Sequence, residues 1–138
     1  MSEIKNIFDI SGRAMAAQMV RLNTVASNLA NAGTISGTKE EAFRALKPVF
    51  QTTYADQLKA SGVSTVDVVT VAEVKRAPEQ AFMPHHPSAD ANGFVYRAAV
   101  DENEEMVEMV EASRQYQNNV EVISTIRALM MRTINMGK

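Results

Sequence analysis

Mostly apolar positions recur at helical spacing near both ends of the chain, whereas the region between them follows a different pattern. At each end these positions alternate in steps of four and three, the 3.5-residue repeat of helices that pack as a coiled coil. The N-terminal repeat comprises Phe8, Gly12, Met15, Met19, Leu22, Ala26 and Leu29. The C-terminal repeat comprises Met106, Met109, Ser113, Tyr116, Val120, Ile123, Arg127, Met130 and Ile134. We therefore expect a long helix at each end.

Residues that favour helix ends set the limits of both predicted helices. Asn28, Asn31 and Gly33 supply turn and stop chemistry, so the first helix is expected to occupy residues 1–32. Six acidic side chains crowd the start of the second helix and arginines lie near its end, which complements the helix dipole. The second helix is expected to occupy residues 101–138. The two helices are predicted to pair as an antiparallel coiled coil and to form one discontinuous domain.

The middle of the chain, residues 33–100, has the composition of short strands and turns. Extended structure is predicted for residues 42–54, interrupted at Pro48, for residues 63–75, which are dense in Val and Thr, and for residues 94–96. Loops or turns are predicted for residues 34–41 and 57–62. The expected fold class is mainly α with a small β-rich insert between the two helices.

Neither terminal helix is expected to be stable on its own. Isolated helices are marginal in water because nucleation is unfavourable, and an apolar face stabilises a helix only when it is buried. The apolar stripes are wide for a simple pair, so the helices should pack both on each other and on neighbouring copies. Apart from Met1, seven of the remaining eight methionines lie in these helices. Such unbranched, polarizable side chains adapt to non-identical neighbours.

Composition narrows the classes of function. The chain has 138 residues, a net charge of −2 and few aromatic residues, which disfavours nucleic-acid binding. It has no cysteine, which excludes disulfides, thiolate metal sites and cysteine nucleophiles. The N-terminal residues do not read as a secretory signal peptide, and no apolar run approaches the roughly 20 residues of a transmembrane helix.

The sequence contains only weak signals for a catalytic or metal site. His85 and His86 with Asp90 suggest a metal site, but adjacent histidines without a third well-spaced ligand are more often part of a turn. No Ser/His/Asp spacing, phosphate-binding loop or dinucleotide glycine pattern is present in the sequence. We expect no enzyme activity, no metal, no cofactor and no small-molecule substrate.

Three sequence motifs resemble those of bacterial flagellar rod and hook proteins. The first begins at Ser11-Gly12 and continues through residues 21–32, where the sequence is RLNTVASNLANA. The second is His86-Pro87-Ser88-Ala89-Asp90 followed by Gly93-Phe94-Val95, and the third lies in residues 105–120. The chain departs from the family pattern in the loop after residue 32 and just before the last helix. The first departure affects the loop geometry, and the second affects only the entry to the helix.

The resemblance implies a structural subunit of the flagellar basal-body rod, which transmits torque and encloses the export channel. Implied partners are other copies, other rod proteins, the export/MS-ring junction and rod-assembly factors. The implied location is the periplasmic section of the rod, reached through the flagellar type III apparatus without a cleaved signal peptide. The terminal helices are implied to be disordered before assembly.

Assembly contacts are expected at apolar and polar positions of both terminal helices. In the first helix these are Phe8, Met15, Met19, Leu22, Asn23, Asn28, Leu29 and Asn31. In the second they are Met106, Met109, Arg114, Tyr116, Val120, Ile123 and Met130. The family turn motif comprises His86, Pro87, Asp90 and Gly93. Asn28 and its neighbouring asparagines carry amides for hydrogen bonds between subunits, or serve equally well as helix-surface and cap residues.

A soluble coiled-coil adaptor or an export chaperone is the alternative function. Either protein would account for the two helices. Neither accounts for the Val-rich middle region or for the His-Pro-x-Ala-Asp turn. A defined small oligomer with folded helical ends would favour the alternative, whereas a monomer with unfolded ends would favour a rod subunit.

Overall fold

Long helices occupy both ends of the chain in the computed structural model, which describes residues 2–53 and 65–137. Helix α1 spans Ser2–Asn31 and helix α2 spans Glu102–Met136. Between them lie β1 (Ile35–Ser36), β2 (Leu46–Thr53), β3 (Thr65–Glu73), β4 (Glu79–Phe82) and β5 (Phe94–Arg97). The expected class, mainly helical with a β insert, is confirmed. The turn predicted at residues 57–62 lies outside the described residues.

Local capping contacts explain where the helices end. The Asp101 carboxylate accepts hydrogen bonds from the backbone N–H groups of Asn103 (3.0 Å) and Glu104 (3.2 Å), which satisfies donors that α2 leaves unpaired at its start. At the end of α1, the Asn31 amide donates to the carbonyl of Ser27 (2.8 Å), and the Asn31 carbonyl accepts from the N–H of Thr34 (3.0 Å). Both ends lie where the sequence signals predicted them.

The strands form two small antiparallel sheets. One has the order β1-β5-β4 and the other is the ribbon of β2 and β3. The predicted interruption at Pro48 is wrong, since Pro48 pairs with Val71 inside the ribbon. A two-stranded ribbon leaves one side of each strand unpaired, so a residue without an N–H is tolerated there. The sequence also missed β1 and β4, which are only two and four residues long.

Backbone hydrogen bonds connect separate segments of the middle region, which packs on α1. The N–H of Ala98 donates to the carbonyl of Thr34 (3.0 Å), and the N–H of Val74 donates to the carbonyl of Ala45 (2.8 Å). The ribbon packs on α1. The described buried apolar residues are Ala17, Val25, Ala42, Ala45, Val95, Ala98, Ala99 and Ala112. Because most of them are alanines, the core is small.

The chain exposes more surface than a compact monomer of its mass. Its accessible surface is 9620 Å², whereas a compact protein of this mass exposes about 7,100 Å². Part of this surface is apolar, because α2 alone exposes nine large hydrophobic side chains. Among the described residues, no helix has the length and apolarity needed to cross a bilayer. A surface of this kind is typical of a subunit that is completed by its neighbours.

Candidate assembly surface

Three side-chain pairs connect α1 to α2 and define their relative direction. They are Gln18–Gln115 (2.8 Å), Arg21–Glu108 (2.9 Å from Nε) and Asn28–Glu105 (3.0 Å). Rising numbers in α1 meet falling numbers in α2, so the helices run antiparallel. Every one of these contacts is polar. The helices therefore meet through hydrogen bonds and ion pairs as much as through apolar packing.

The face of α1 that meets α2 lies one residue before the predicted apolar repeat. Gln18, Arg21 and Asn28, which bond to α2, precede the predicted positions 19, 22 and 29. Among the other buried residues of α1, Ser11 and Val25 have the same offset, whereas Ala17 and Thr24 do not. In α2 the same offset holds for Glu105, Glu108, Ala112 and Gln115, which precede 106, 109, 113 and 116. One residue corresponds to a rotation of about 100° around a helix. We call the nine residues with this offset the interhelical face.

This offset corrects the predicted packing of the two repeats against each other. Met19 is 43% exposed and Val120 is 45% exposed, so neither is enclosed by the helix pair. Apolar periodicity identifies the most hydrophobic face of a helix, but it cannot recognise polar side chains that become buried by bonding to one another. The coiled-coil geometry predicted for the pair remains a prediction, although the antiparallel pairing is present.

The predicted assembly residues fall into three groups by exposure. Half-buried residues flank the interhelical face: Phe8, Met15, Leu22, Leu29, Asn31, Met109, Tyr116, Ile123 and Met130. Exposed residues are Met19, Asn23, Met106, Arg114 and Val120. Asn28 alone is fully buried. Their role in contacts between subunits stays a prediction, and the exposed group is directly available for it.

Asn28 holds three elements together at the end of the helix pair. Its Nδ2 donates to the carbonyl of Leu46 (2.8 Å) and to Glu105 Oε2 (3.0 Å), and its Oδ1 accepts from the N–H of Leu46 (2.8 Å). The amide thus binds both backbone groups of Leu46, as a neighbouring strand would. Glu105 is only 2% exposed. The sequence did not predict the buried contact of Glu105, because the helix dipole already explains an acidic residue in the first turns of a helix.

Ion pairs at the start of α2 attach the ribbon to this helix. Glu104 accepts hydrogen bonds from Lys47 Nζ (2.8 Å) and from Arg76 (2.9 Å). The Lys47 hydrogen bond, followed by that of Arg76, lowers the pKa of Glu104, and the Glu104 hydrogen bond raises the pKa of Lys47. Arg21 likewise pairs with Glu108 and lies 3.5 Å from Glu111. Because the Glu104 pairs are partly exposed, each contributes only about 0–1 kcal/mol.

The turn motif is a structural element of the hairpin between β4 and β5. Asp90 Oδ1 accepts from the N–H groups of Asn92 and Phe94, both at 2.8 Å. Gly93 has a φ of 81°, and a Cβ there would lie 2.9 Å from the Phe82 ring. His86 Nδ1 accepts from the N–H of Ser88 (3.1 Å). The described part of the chain contains no cluster of three or more metal-ligating side chains.

Apolar side chains on the outside of α2 form the other candidate surface. Met106, Val107 and Val110 are 53%, 67% and 53% exposed and line a shallow groove with Arg114. Further exposed residues continue along the helix: Val120, Val122, Leu129, Met131, Ile134 and Met136. We call these nine apolar residues the outer apolar surface of α2. These residues lie on more than one side of α2, because Val120 and Val122 are about 200° apart around the helix. Nine large exposed apolar side chains on one helix nevertheless exceed the single ones that are ordinary for a monomer.

Matches to known families cover the two helices and define the class of protein. Residues 8–34 match the family described as Flagella basal body rod protein. Residues 91–136 match the family described as Flagellar basal body rod FlgEFG protein C-terminal. Together these ranges include most of α1 and α2, which form the interhelical face. The chain is thus similar to basal-body rod proteins at both ends.

Relatives that match nearly the whole chain define the family more closely. The chain is 43% identical to the flagellar basal-body rod protein FlgC of Salmonella typhimurium, over 96% of this chain and 97% of the relative. It is 42% identical to FlgC of Escherichia coli O157:H7 with the same coverage. FlgC of Aquifex aeolicus is 34% identical, with both chains fully covered. The chain belongs to the FlgC family of flagellar basal-body rod proteins and is a structural subunit of the rod.

The family assignment confirms the resemblance found in the sequence. The relatives are named as rod proteins, which agrees with the expectation of a structural protein without catalytic activity. His86 and Asp90 have structural contacts in the hairpin turn.

Proposed function

We propose that the chain joins the rod through the outer apolar surface of α2 and the exposed apolar residues of α1. The observation that supports this most directly is the inverted distribution of polarity on the helix pair. Hydrogen-bonded groups such as Asn28 and Glu105 are buried between the helices, whereas Met106, Val107 and Val110 face outward. Apolar side chains contribute little when exposed, and about 1.5–3 kcal/mol each when fully buried. Burial by neighbouring subunits would provide that contribution.

The amount of surplus surface is sufficient for several neighbours. The 9620 Å² of the chain exceeds the surface of a compact monomer by about 2,500 Å². A standard interface removes about 800 Å² from each partner. A subunit in a tubular wall contacts neighbours on more than one side, and the surplus is large enough for two or three such contacts.

The finer features of the function follow from the resemblance and the family. In this proposal the terminal helices pack in coiled-coil fashion with those of neighbouring copies, so that they form the wall around the export channel. The middle region contacts other subunits and helps to transmit torque. The partners are further copies, other rod proteins, the export/MS-ring junction and rod-assembly factors. The location is the periplasmic section of the rod, reached through the type III apparatus.

A charge placed on the outer apolar surface tests this proposal. Val120→Asp puts a carboxylate where a neighbour would enclose an apolar side chain, so we expect loss of rod assembly and of swimming in soft agar. Because Val120 is 45% exposed in the isolated chain, synthesis and melting temperature should change little. Asn118→Asp adds the same charge at an exposed polar position of α2 and should swim normally.

Two results would contradict the proposal. Normal motility with Val120→Asp would show that this position is not enclosed in the rod. Loss of the soluble, folded protein would instead place Val120 in the core of the monomer. A coiled-coil adaptor or export chaperone remains the alternative, and it predicts a discrete small oligomer of the purified chain. The nearly full-length match to rod proteins favours the rod.

A further inference from the structure

We infer that the Asn28–Glu105 pair determines the register of α1 against α2 and the attachment point of the ribbon. These are the two most buried polar side chains among the described residues, at 0% and 2% exposure. They lie 77 residues apart in sequence and join by a hydrogen bond of 3.0 Å. A single polar pair in an otherwise permissive helix interface is a known means of specifying register.

Apart from the hydrogen bond between Gln18 and Gln115, the rest of the interhelical face selects a register only weakly. Ser11, Val25 and Ala112 are small or medium-sized, and such side chains fit opposite one another in several alignments. Arg21 is within reach of both Glu108 and Glu111, so its ion pairing tolerates displacement. A shift of seven residues would bring the same sides of both helices together again. Packing alone therefore discriminates poorly between the observed register and a shifted one.

The Asn28–Glu105 pair does not tolerate such a shift. In a register displaced by seven residues, Asn28 would face Ala112 and its second amide hydrogen would lose the carboxylate. Glu105 would then lie beyond Asn31, where α1 ends. The buried Asn28 amide would lose one of its partners, which is unfavourable for a polar group removed from water, so this pair penalises the shifted register.

The same pair fixes the ribbon to the helices. Because Asn28 binds both the N–H and the carbonyl of Leu46, the start of β2 is held on the turn of α1 that faces Glu105. The adjacent Glu104 binds Lys47 on β2 and Arg76 after β3. Register and ribbon position are therefore coupled at one point. This inference concerns the fold of the single chain and does not depend on the rod function.

Cysteine cross-linking can measure the register directly, because the natural chain contains no cysteine. The pair Gln18→Cys/Gln115→Cys reports the observed register, in which these side chains bond at 2.8 Å. The pair Gln18→Cys/Val122→Cys reports the register shifted by seven residues. In the parent chain we expect rapid oxidation of the first pair and slow oxidation of the second.

Three variants separate register selection from stability. Glu105→Leu removes the hydrogen-bonded pair and replaces the glutamate with an apolar side chain of similar size. We expect the ratio of shifted to observed cross-link to rise about tenfold, which corresponds to about 1.4 kcal/mol of register preference. Glu105→Gln keeps an oxygen that accepts from Asn28, so its ratio should remain at the parent value. Val25→Ala lowers the stability of the same face without touching the pair, and its ratio should also remain unchanged.

Each of three results would overturn the inference. An unchanged cross-link ratio in Glu105→Leu would show that the pair does not select the register. An equal rise in Val25→Ala would show that loss of stability, rather than loss of the pair, causes the shift. Absence of the Gln18→Cys/Gln115→Cys cross-link in the parent would show that the pair does not form in the isolated chain.

Discussion

The helix pair and the middle region place polar and apolar groups in opposite ways. In the middle region, Val95, Ala98 and Ala99 are buried and the β4–β5 turn is closed by hydrogen bonds from backbone N–H groups to Asp90. In the helix pair, Asn28 and Glu105 are buried while large apolar side chains of α2 face outward. The middle region thus buries a small apolar core within one chain, although Val49, Phe50, Val71 and Phe82 stay exposed, whereas α2 alone leaves nine large apolar side chains uncovered.

This difference shows which part of the subunit depends on its neighbours. Burial of apolar surface is the main favourable contribution to folding, and the helix pair obtains little of it within one chain. Its polar contacts provide direction and register instead, because hydrogen bonds require particular partners. A subunit built in this way can define its shape before assembly and gain most of its helix stability on assembly.

Asn28→Asp is expected to have the largest effect, because it disrupts the helix pair at its most buried point. The substitution replaces the Nδ2 group that donates to Leu46 and Glu105 with an oxygen that donates to neither when ionised. Two carboxylates would then face each other in a buried site. We expect a loss of about 3–5 kcal/mol in the free energy of unfolding, which is the usual cost of leaving a buried charge uncompensated.

Urea denaturation monitored by circular dichroism measures this effect. Asn23→Asp is the matched control, because it makes the same change at an exposed position of α1. The control should lie within about 0.5 kcal/mol of the parent, as is usual for surface substitutions. Equal stability of both variants would mean that the α1–α2 contact does not form in the isolated chain.

Gly93→Ala is expected to have the next largest effect, and it acts on the middle region. Gly93 adopts a φ of 81°, which L side chains rarely adopt, and an added Cβ would lie 2.9 Å from the Phe82 ring and 3.1 Å from Pro84 Cβ. We expect a loss of about 1–3 kcal/mol in the free energy of unfolding.

The control for this substitution is another glycine in the same region. Gly33→Ala places a Cβ in open space at a residue without a positive φ, so its unfolding curve should nearly match that of the parent. If Gly93→Ala were equally harmless, the hairpin would not require its observed turn conformation.

The sequence predicted those parts of the fold that depend on nearby residues. The limits of α1 and α2 follow from asparagines at the end of α1 and from the Asp101 cap, and they were predicted closely. Strand β3 was predicted within two residues at each end because Val and Thr are dense there. Strand β4 was missed because Glu79–Phe82 is a strand only through its pairing with β5.

The face used for helix pairing could not be predicted in the same way. The apolar repeat correctly marked the hydrophobic sides of the helices, but Met19 and Val120 on those sides are exposed. Asn28 becomes an interior residue only because Glu105 and Leu46 are brought to it by the fold. A single sequence does not indicate that these three residues meet, because the local sequence around each one is enough to account for its presence.

The ion pairs of Glu104 should produce the smallest effect, a pH dependence of the contact between α2 and the ribbon. Hydrogen bonds from Lys47 and, next, from Arg76 lower the pKa of Glu104 in the folded chain below that of an ordinary exposed glutamate. The contribution is therefore fully present above the unfolded pKa and is lost as the pH falls through the lower folded value. Because Glu104 is about 40% exposed, solvent screening limits the contribution to less than about 1 kcal/mol.

Thermal unfolding of the parent and Glu104→Gln between pH 3 and pH 7 measures this contribution. The parent should melt at a slightly higher temperature at neutral pH, and the two curves should converge under acidic conditions, because protonated Glu104 no longer attracts Lys47 and Arg76. Glu102→Gln serves as the control for loss of an acidic charge in the first turn of α2. A difference for Glu104→Gln no larger than that for Glu102→Gln would mean that the helix dipole, rather than the ribbon contact, accounts for the effect. In that case the Asn28 amide and the packing of the ribbon on α1, rather than Glu104, would hold the ribbon on the helix pair.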